Sequence, residues 1–131
     1  RFTDPRGKLQ HVTLCADQVD EDFIAEGFMF DGSSIEGWKS IEASDMKLML
    51  DVNSAYVDPF YAEKTVCVHC SVVEPDTGEA YDRDPRGTAQ KAEAYLKSTG
   101  IGDVAYMGPE AEFFLFDDVR YSNTINKVSF E

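Results

Sequence analysis

The chain has 131 residues, 43% of them apolar and 28% charged, with 12 Lys and Arg set against 25 Asp and Glu for a formal net charge of −13. That length suits one domain, or one domain and part of another, and the composition is ordinary for a globular chain. So negative a chain repels phosphate backbones, which argues against nucleic acid as a partner. No apolar run approaches the ~20 residues of a membrane span, and the sequence shows no signal-peptide pattern of basic start and small-residue cleavage site.

"RFTDPRGKLQHVTL" predicts a β-hairpin, with Asp4-Pro5-Arg6-Gly7 supplying turn chemistry between two strands. "CADQVDEDFIAEG" predicts a short helical turn carrying Val19, Phe23 and Ile24 and closed by Gly27. "SDMKLMLDVNSAYVDP" reads as a strand with Met46, Leu48 and Leu50 on one face, and "KTVCVHCSVVEPDTGEAY" as a strand and a turn. "DRDPRGTAQKAEAYLKSTG" carries the clearest helix signals: Asp84 as N-cap, Pro85 at the first position and Gly100 just past the end. Its apolar stripe is Ala89, Ala92, Tyr95 and Leu96. "DVAYMG" and "EAEFFLFDDVRY" are expected to be two further strands. Arg1 and the terminal "NKVSFE" both read as the middle of β-like stretches, so both ends are expected to be cut. The character of the chain changes near residue 82. An α+β domain over residues 1–81, with its N-terminal part missing, is expected to precede the opening of a larger one over 82–131.

Cys67 and Cys70 form a C-x-x-C pattern inside a Val- and Thr-rich strand, where residues three apart point to opposite faces. A redox or zinc site needs converging sulfurs, and no second pair exists, so the thiols and the nearby His69 are expected to be structural. His11 is read the same way.

"GPEAEFFLF" raises a sharper question. Glu110 and Glu112 are two apart, so on a strand they share one face ~6.6 Å apart. Two carboxylates that close repel by about 3 kcal/mol at an effective dielectric near 20. Burial beside Phe113 and Phe114 would add a desolvation cost. Either the face is a solvated edge, or cations neutralise it. The apolar flanks suggest a central strand, and hard divalent cations suit oxygen ligands of this kind. The second polar cluster is "GFMFDGSSIEGW", where Asp31, Ser33 and Ser34 share one short loop framed by Phe28, Phe30 and Trp38. It reads either as a well-capped turn or as a small polar site on an aromatic-anchored loop.

Taken together, "GFMFDGSSIEGW", "SDMKLMLD", "YDRDPRGTAQKAEAYL" and "GPEAEFFLFDDVRY", in that order and spacing, closely resemble bacterial type I glutamine synthetase from Arg1 to Tyr121. The departure is length, since the family's chain is several times longer. The resemblance implies a small β-grasp domain followed by the start of a catalytic domain. It implies a cytoplasmic, ATP-dependent ligase that phosphorylates glutamate and then joins it to ammonia. It also implies two Mg²⁺ or Mn²⁺ ions per site, one favouring Glu110 and the ATP phosphates, the other Glu112 and the substrate glutamate. Asp31 is implied to bind and deprotonate ammonium with Ser34 nearby, and Trp38 to lie close to the nucleotide. The implied assembly is a dodecamer of two hexameric rings in which the small domain completes the neighbouring subunit's site. A piece of this size is expected to be inactive alone. Two alternatives remain: a related γ-glutamyl-amine ligase, and a non-catalytic assembly or regulatory module built on the same fold.

Overall fold

The computed structural model describes residues 1–40 and 44–131. The expected hairpin forms from β1 (Phe2–Thr3) and β2 (Leu9–Gln10), paired antiparallel. One side chain organises its turn. The buried Asp4 carboxylate accepts from the Arg6 and Lys8 backbone N–H groups at 3.0 and 2.9 Å and from Gln10 Nε2 at 2.9 Å. Those bonds, the Gln10 amide first, hold the Asp4 carboxyl below the usual carboxylate range. Backbone bonds from Arg1 to the Val68 carbonyl and from Cys70 N–H to the Arg1 carbonyl, both 2.8 Å, then dock this hairpin on the longer sheet.

Helix α1 (Glu21–Glu26) begins at Asp20, whose carboxylate accepts from Phe23 N–H at 2.8 Å. It ends at Gly27, which takes φ +80°, and a Cβ there would sit 2.6 Å from the Leu48 carbonyl oxygen. Glycine is needed on both counts. The chain enters β3 (Phe28–Asp31), which pairs antiparallel with β4 (Asp45–Asp58), which in turn pairs with β5 (Thr65–Val73). The long β4 shifts register between Asp51 and Tyr56. Ser54 fills the gap in the ladder, donating to the Asp51 carbonyl at 2.7 Å and accepting from His69 N–H at 2.8 Å. Leu48 opposite Val72 and Leu50 opposite Cys70 put alternate residues on one face. That face joins Phe2, Ile35, Trp38, Met46 and Tyr81 in a single core. The α+β reading of this part of the chain is correct.

Helix α2 (Pro85–Thr99) follows its signals: Asp84 caps it, Pro85 opens it, and Gly100 closes it in the left-handed conformation. Asp84 does more than cap. Its side chain is 1% exposed, with Oδ1 accepting from Arg86 N–H at 3.0 Å and Oδ2 accepting from Val72 N–H, in β5, at 2.9 Å. Arg86 continues the seam through an ion pair with Asp51 on β4. The helix is therefore bonded at its first turn to the sheet that precedes it.

Two expectations fail beyond that point. The stripe on α2 is not buried: Ala89, Ala92 and Tyr95 are exposed, and only Leu96 is half-buried. Residues 103–120 form no strand, and Phe113, Phe114 and Leu115 are 80%, 85% and 89% exposed. A strand exists through the hydrogen bonds of its neighbours, and among the described residues only Arg120, at the end of this stretch, has a backbone partner, Glu131. Apolar pattern reports a demand for cover, not the cover itself. A hairpin the sequence reading did not resolve closes the chain: β6 (Tyr121–Thr124) pairs with β7 (Lys127–Phe130) across Ile125 and Asn126.

Removing the Asp84 carboxylate strands a buried N–H on β5 and uncaps α2. Asp84→Ala should therefore destabilise the protein by about 2–4 kcal/mol, read from urea unfolding. Asp4 should leave a pH signature of known sign. Its folded pKa is depressed, so its contribution is present above the ordinary carboxylate range and is lost as pH falls through the lowered value. The stability gap between wild type and Asp4→Asn should hold from neutral pH to about pH 4 and shrink below it.

Candidate functional site

The loop after β3 is built around Asp31. Asp31 ends β3 and caps a single 3-10 turn, Gly32–Ser34. Its Oδ1 accepts from the Ser33 N–H at 2.9 Å and from the Ser33 hydroxyl at 2.6 Å. Those bonds, the hydroxyl first, hold the exposed Asp31 carboxyl below its ordinary pKa, with a weaker contribution from the Ser44 hydroxyl. At neutral pH this is a fixed negative charge facing solvent. Ser34 is exposed one position beyond Ser33.

The backbone beneath this charge is immobilised. Gly32 N–H donates to the Ser44 carbonyl at 2.7 Å, and a Cβ on Gly32 would meet Met46 Cγ and Sδ at 2.6 Å. Ile35 and Trp38 are buried just beyond it. Trp38 lies 5.6 Å from Phe2, 6.1 Å from Phe30 and 5.5 Å from Tyr81, ring centre to ring centre. The segment that leads into α2 reaches back over the loop. Tyr81 donates its hydroxyl to the Trp38 carbonyl at 2.9 Å, and Arg83 donates to the Gly37 carbonyl at 2.6 Å. Lys39 pairs with Glu74 at 2.8 Å, and Arg6 pairs with Glu36.

The structure thus brings Asp31, Ser34 and Trp38 onto one loop, but with different exposures. Asp31 and Ser34 face solvent, whereas Trp38 is 5% exposed and belongs to the core. The resemblance implied a tryptophan beside a nucleotide; here its ring has almost no free surface, and the indole Nε1 meets no partner among the described residues.

Glu110 and Glu112 stand apart from this loop. Both are exposed on the unpaired stretch, and neither makes a hydrogen bond or ion pair with a described residue. The central strand expected to hold them is corrected to a segment without regular secondary structure, so the same-face geometry argued from strand pleating is not fixed here. Their chemistry still suits a hard divalent cation, which takes carboxylate oxygens. Among the described residues no three His, Cys, Asp or Glu side chains converge as a metal site. The pair therefore offers part of a ligand set. The cysteines do not converge either: Cys70 lies in the core with burial pushing its thiol up, whereas Cys67 Sγ lies 3.6 Å from Asp58 Oδ2.

The sequence reading grouped Ser33 with Asp31 on one capped or polar loop but did not pair the two, although Asp-x-Ser is a pattern in which an Asp side chain bonds the backbone two residues on. It also missed Tyr81 and Arg83, for which no local signal exists because their partners lie more than 40 residues away.

Comparison with known proteins identifies the family. Residues 1–75 match the family model described as glutamine synthetase, beta-Grasp domain, and residues 82–131 match that described as glutamine synthetase, catalytic domain. Over all 131 residues the chain is 79% identical to a glutamine synthetase of Cereibacter sphaeroides and 76% to one of Rhodobacter capsulatus, covering 28% and 30% of those proteins. Identity to the Escherichia coli K12 glutamine synthetase is 56% over 126 residues, which is 96% of this chain and 27% of that one. The chain spans less than a third of the length of these curated relatives. A cryo-electron microscopy structure of Plasmodium falciparum glutamine synthetase superposes with a TM-score of 0.74 over 98% of this chain and 25% of that one, at 23% identity, a likeness of fold.

The close approach at Gly32 supplies a test of how tightly the loop is held. Gly32→Ala should drive Met46 from its buried position or lift the loop, lowering stability by about 1–3 kcal/mol in thermal or urea unfolding.

Proposed function

From membership of the glutamine synthetase family, to which this chain belongs, we propose that it contributes two pieces of an ATP-dependent glutamate–ammonia ligase site. One is an ammonium-holding carboxylate, Asp31; the other is a pair of divalent-metal ligands, Glu110 and Glu112. The observation that carries the reading is the Asp31 loop. Its charge is exposed and held in the ionised form by Ser33, on a backbone locked against the core. A fixed, solvent-facing anion of this kind suits a small cation.

The chemistry follows from that arrangement. Ammonium carries four N–H donors and one positive charge, and Asp31 offers a carboxylate to both. A carboxylate held below its ordinary pKa favours binding the cation over keeping its proton, so Asp31 positions ammonium first and accepts a proton only as the reaction draws it off. Loss of that proton frees the nitrogen lone pair. The nitrogen then attacks the γ-carbonyl carbon of phosphorylated glutamate, forming the C–N bond as the C–O bond to phosphate breaks. Ser34, exposed beside this charge, is placed to give a further contact. Glu110 and Glu112 would hold Mg²⁺ or Mn²⁺, Glu110 on the ATP side and Glu112 on the glutamate side. A divalent ion bound there would neutralise charge on the transferring phosphoryl group. Trp38, being buried, would serve a nucleotide through the loop backbone it anchors and not through its ring face.

The assembly proposed is the dodecamer of two hexameric rings, in the cytoplasm, with Asp31 and the glutamate pair serving different copies of the site. Support for that division lies in the chain itself. Asp31 sits in the part matched by the small-domain model and the glutamates in the part matched by the catalytic one.

In the full-length protein, Asp31→Ala and Glu110→Ala should each abolish most activity. Co-assembling the two should restore activity at about a quarter of sites in randomly mixed rings. Activity no higher than that of the separate variants, with mixed rings confirmed by native mass, would mean that Asp31 acts within its own subunit or outside the site.

A further inference from the structure

We propose that Ser33 is a positioning residue for ammonium, fixing the Asp31 carboxylate so that Oδ2 is the oxygen that meets the cation. The inference rests on the reading of Asp31 given above and concerns how that group is aimed. Both Ser33 bonds, from the backbone N–H and from the hydroxyl, go to the same oxygen, Oδ1. Two donors on one oxygen fix the plane of the carboxylate as well as its position. Oδ2 accepts no hydrogen bond of normal geometry from the described residues. It is the less engaged of the two oxygens, with the Ser44 hydroxyl near enough to stabilise the carboxylate weakly.

The surroundings keep this aim from drifting. The Gly32 backbone is held by its bond to the Ser44 carbonyl and by its packing on Met46, so the turn cannot rotate without opening the core. The charged group directly across the ladder is Asp45, the pairing partner of Asp31, and it is exposed. A like charge there repels a wandering carboxylate and adds to the attraction for a cation arriving over the strand pair. No cation among the described residues bonds to Asp31, whose partners there are the Ser33 N–H and hydroxyl. The Ser44 hydroxyl stabilises it more weakly than Ser33 does.

The hydroxyl, not the N–H, is the part a substitution can remove. Ser33→Ala and Ser33→Gly both keep the N–H bond and lose the shorter one. In the full-length enzyme each should raise the KM for ammonium about three- to tenfold, the range for losing one ordinary hydrogen bond. The KM values for glutamate and ATP should stay within about twofold, as expected when only one substrate's contact is loosened. Ser33→Thr, which keeps the hydroxyl, should restore the ammonium KM. An unchanged ammonium KM in both Ala and Gly variants would overturn the inference. So would a rise shared equally by all three substrates, or a Thr variant that fails to rescue. Asp31→Asn measured alongside separates the two levels of the argument. If it too leaves the ammonium KM unchanged, the reading of Asp31 fails; if it raises the KM while the Ser33 variants do not, only the role of Ser33 fails.

Discussion

A buried carboxylate shared between two elements sets the architecture of this chain. Asp84 is withdrawn from water almost completely, which carries a desolvation cost of several kcal/mol unless hydrogen bonds return it. Both oxygens are engaged by backbone N–H groups, one at the start of α2 and one on β5. Neither element can shift without leaving the charge unsatisfied. The strand and helix are thereby locked in register at the point where the two family-matched regions meet. The join is a rigid seam, reinforced by the Arg86–Asp51 pair, rather than a flexible linker.

That seam also governs the candidate site. The residues just before Asp84 bend back over the Asp31 loop, with Tyr81 on the Trp38 carbonyl and Arg83 on the Gly37 carbonyl. Fixing Asp84 fixes where Tyr81 and Arg83 stand, and those two hold the far end of the loop. Gly32 against Met46 holds the near end. Between these anchors the backbone has little freedom, so the exposed Asp31 carboxylate inherits the rigidity of the core. Preorganisation of this kind lets a surface charge act as a binding group without first being ordered by its ligand.

What could be read from the sequence divides along a physical line. Elements whose signals are local were legible: the Asp4-Pro5-Arg6-Gly7 turn, the Asp84–Pro85 start and Gly100 end of α2, and the alternation of Met46, Leu48 and Leu50. Each rests on backbone propensity or on one-face burial, which a short window contains. The second bond of Asp84 to Val72 and the Tyr81 and Arg83 contacts could not be read, because they depend on which distant carbonyl or N–H the fold brings near. The strand expected over residues 110–121 failed for a related reason. Phe113 to Phe116 carry a strong demand for burial, but a strand also needs a partner ladder, and composition cannot supply one. The packing of Trp38 was equally out of reach, since its three aromatic neighbours, one of them in β1, come from distant parts of the chain.

The two halves of the candidate site therefore differ in how finished they are. The Asp31 loop has its charge, turn, anchors and core among the described residues. The Glu110–Glu112 half offers two proposed ligands without a frame, and its neighbours expose large apolar side chains that water solvates poorly. Burying those side chains against another surface would draw the two carboxylates toward lower dielectric, where their mutual repulsion grows. The same step would sharpen their appetite for a divalent cation, because only a charge of that size offsets both the repulsion and the lost hydration. Cover and metal should then arrive as coupled events, each making the other more favourable. An acidic chain would favour both of the proposed cations, since a net negative charge raises the local concentration of any cation before a specific contact forms.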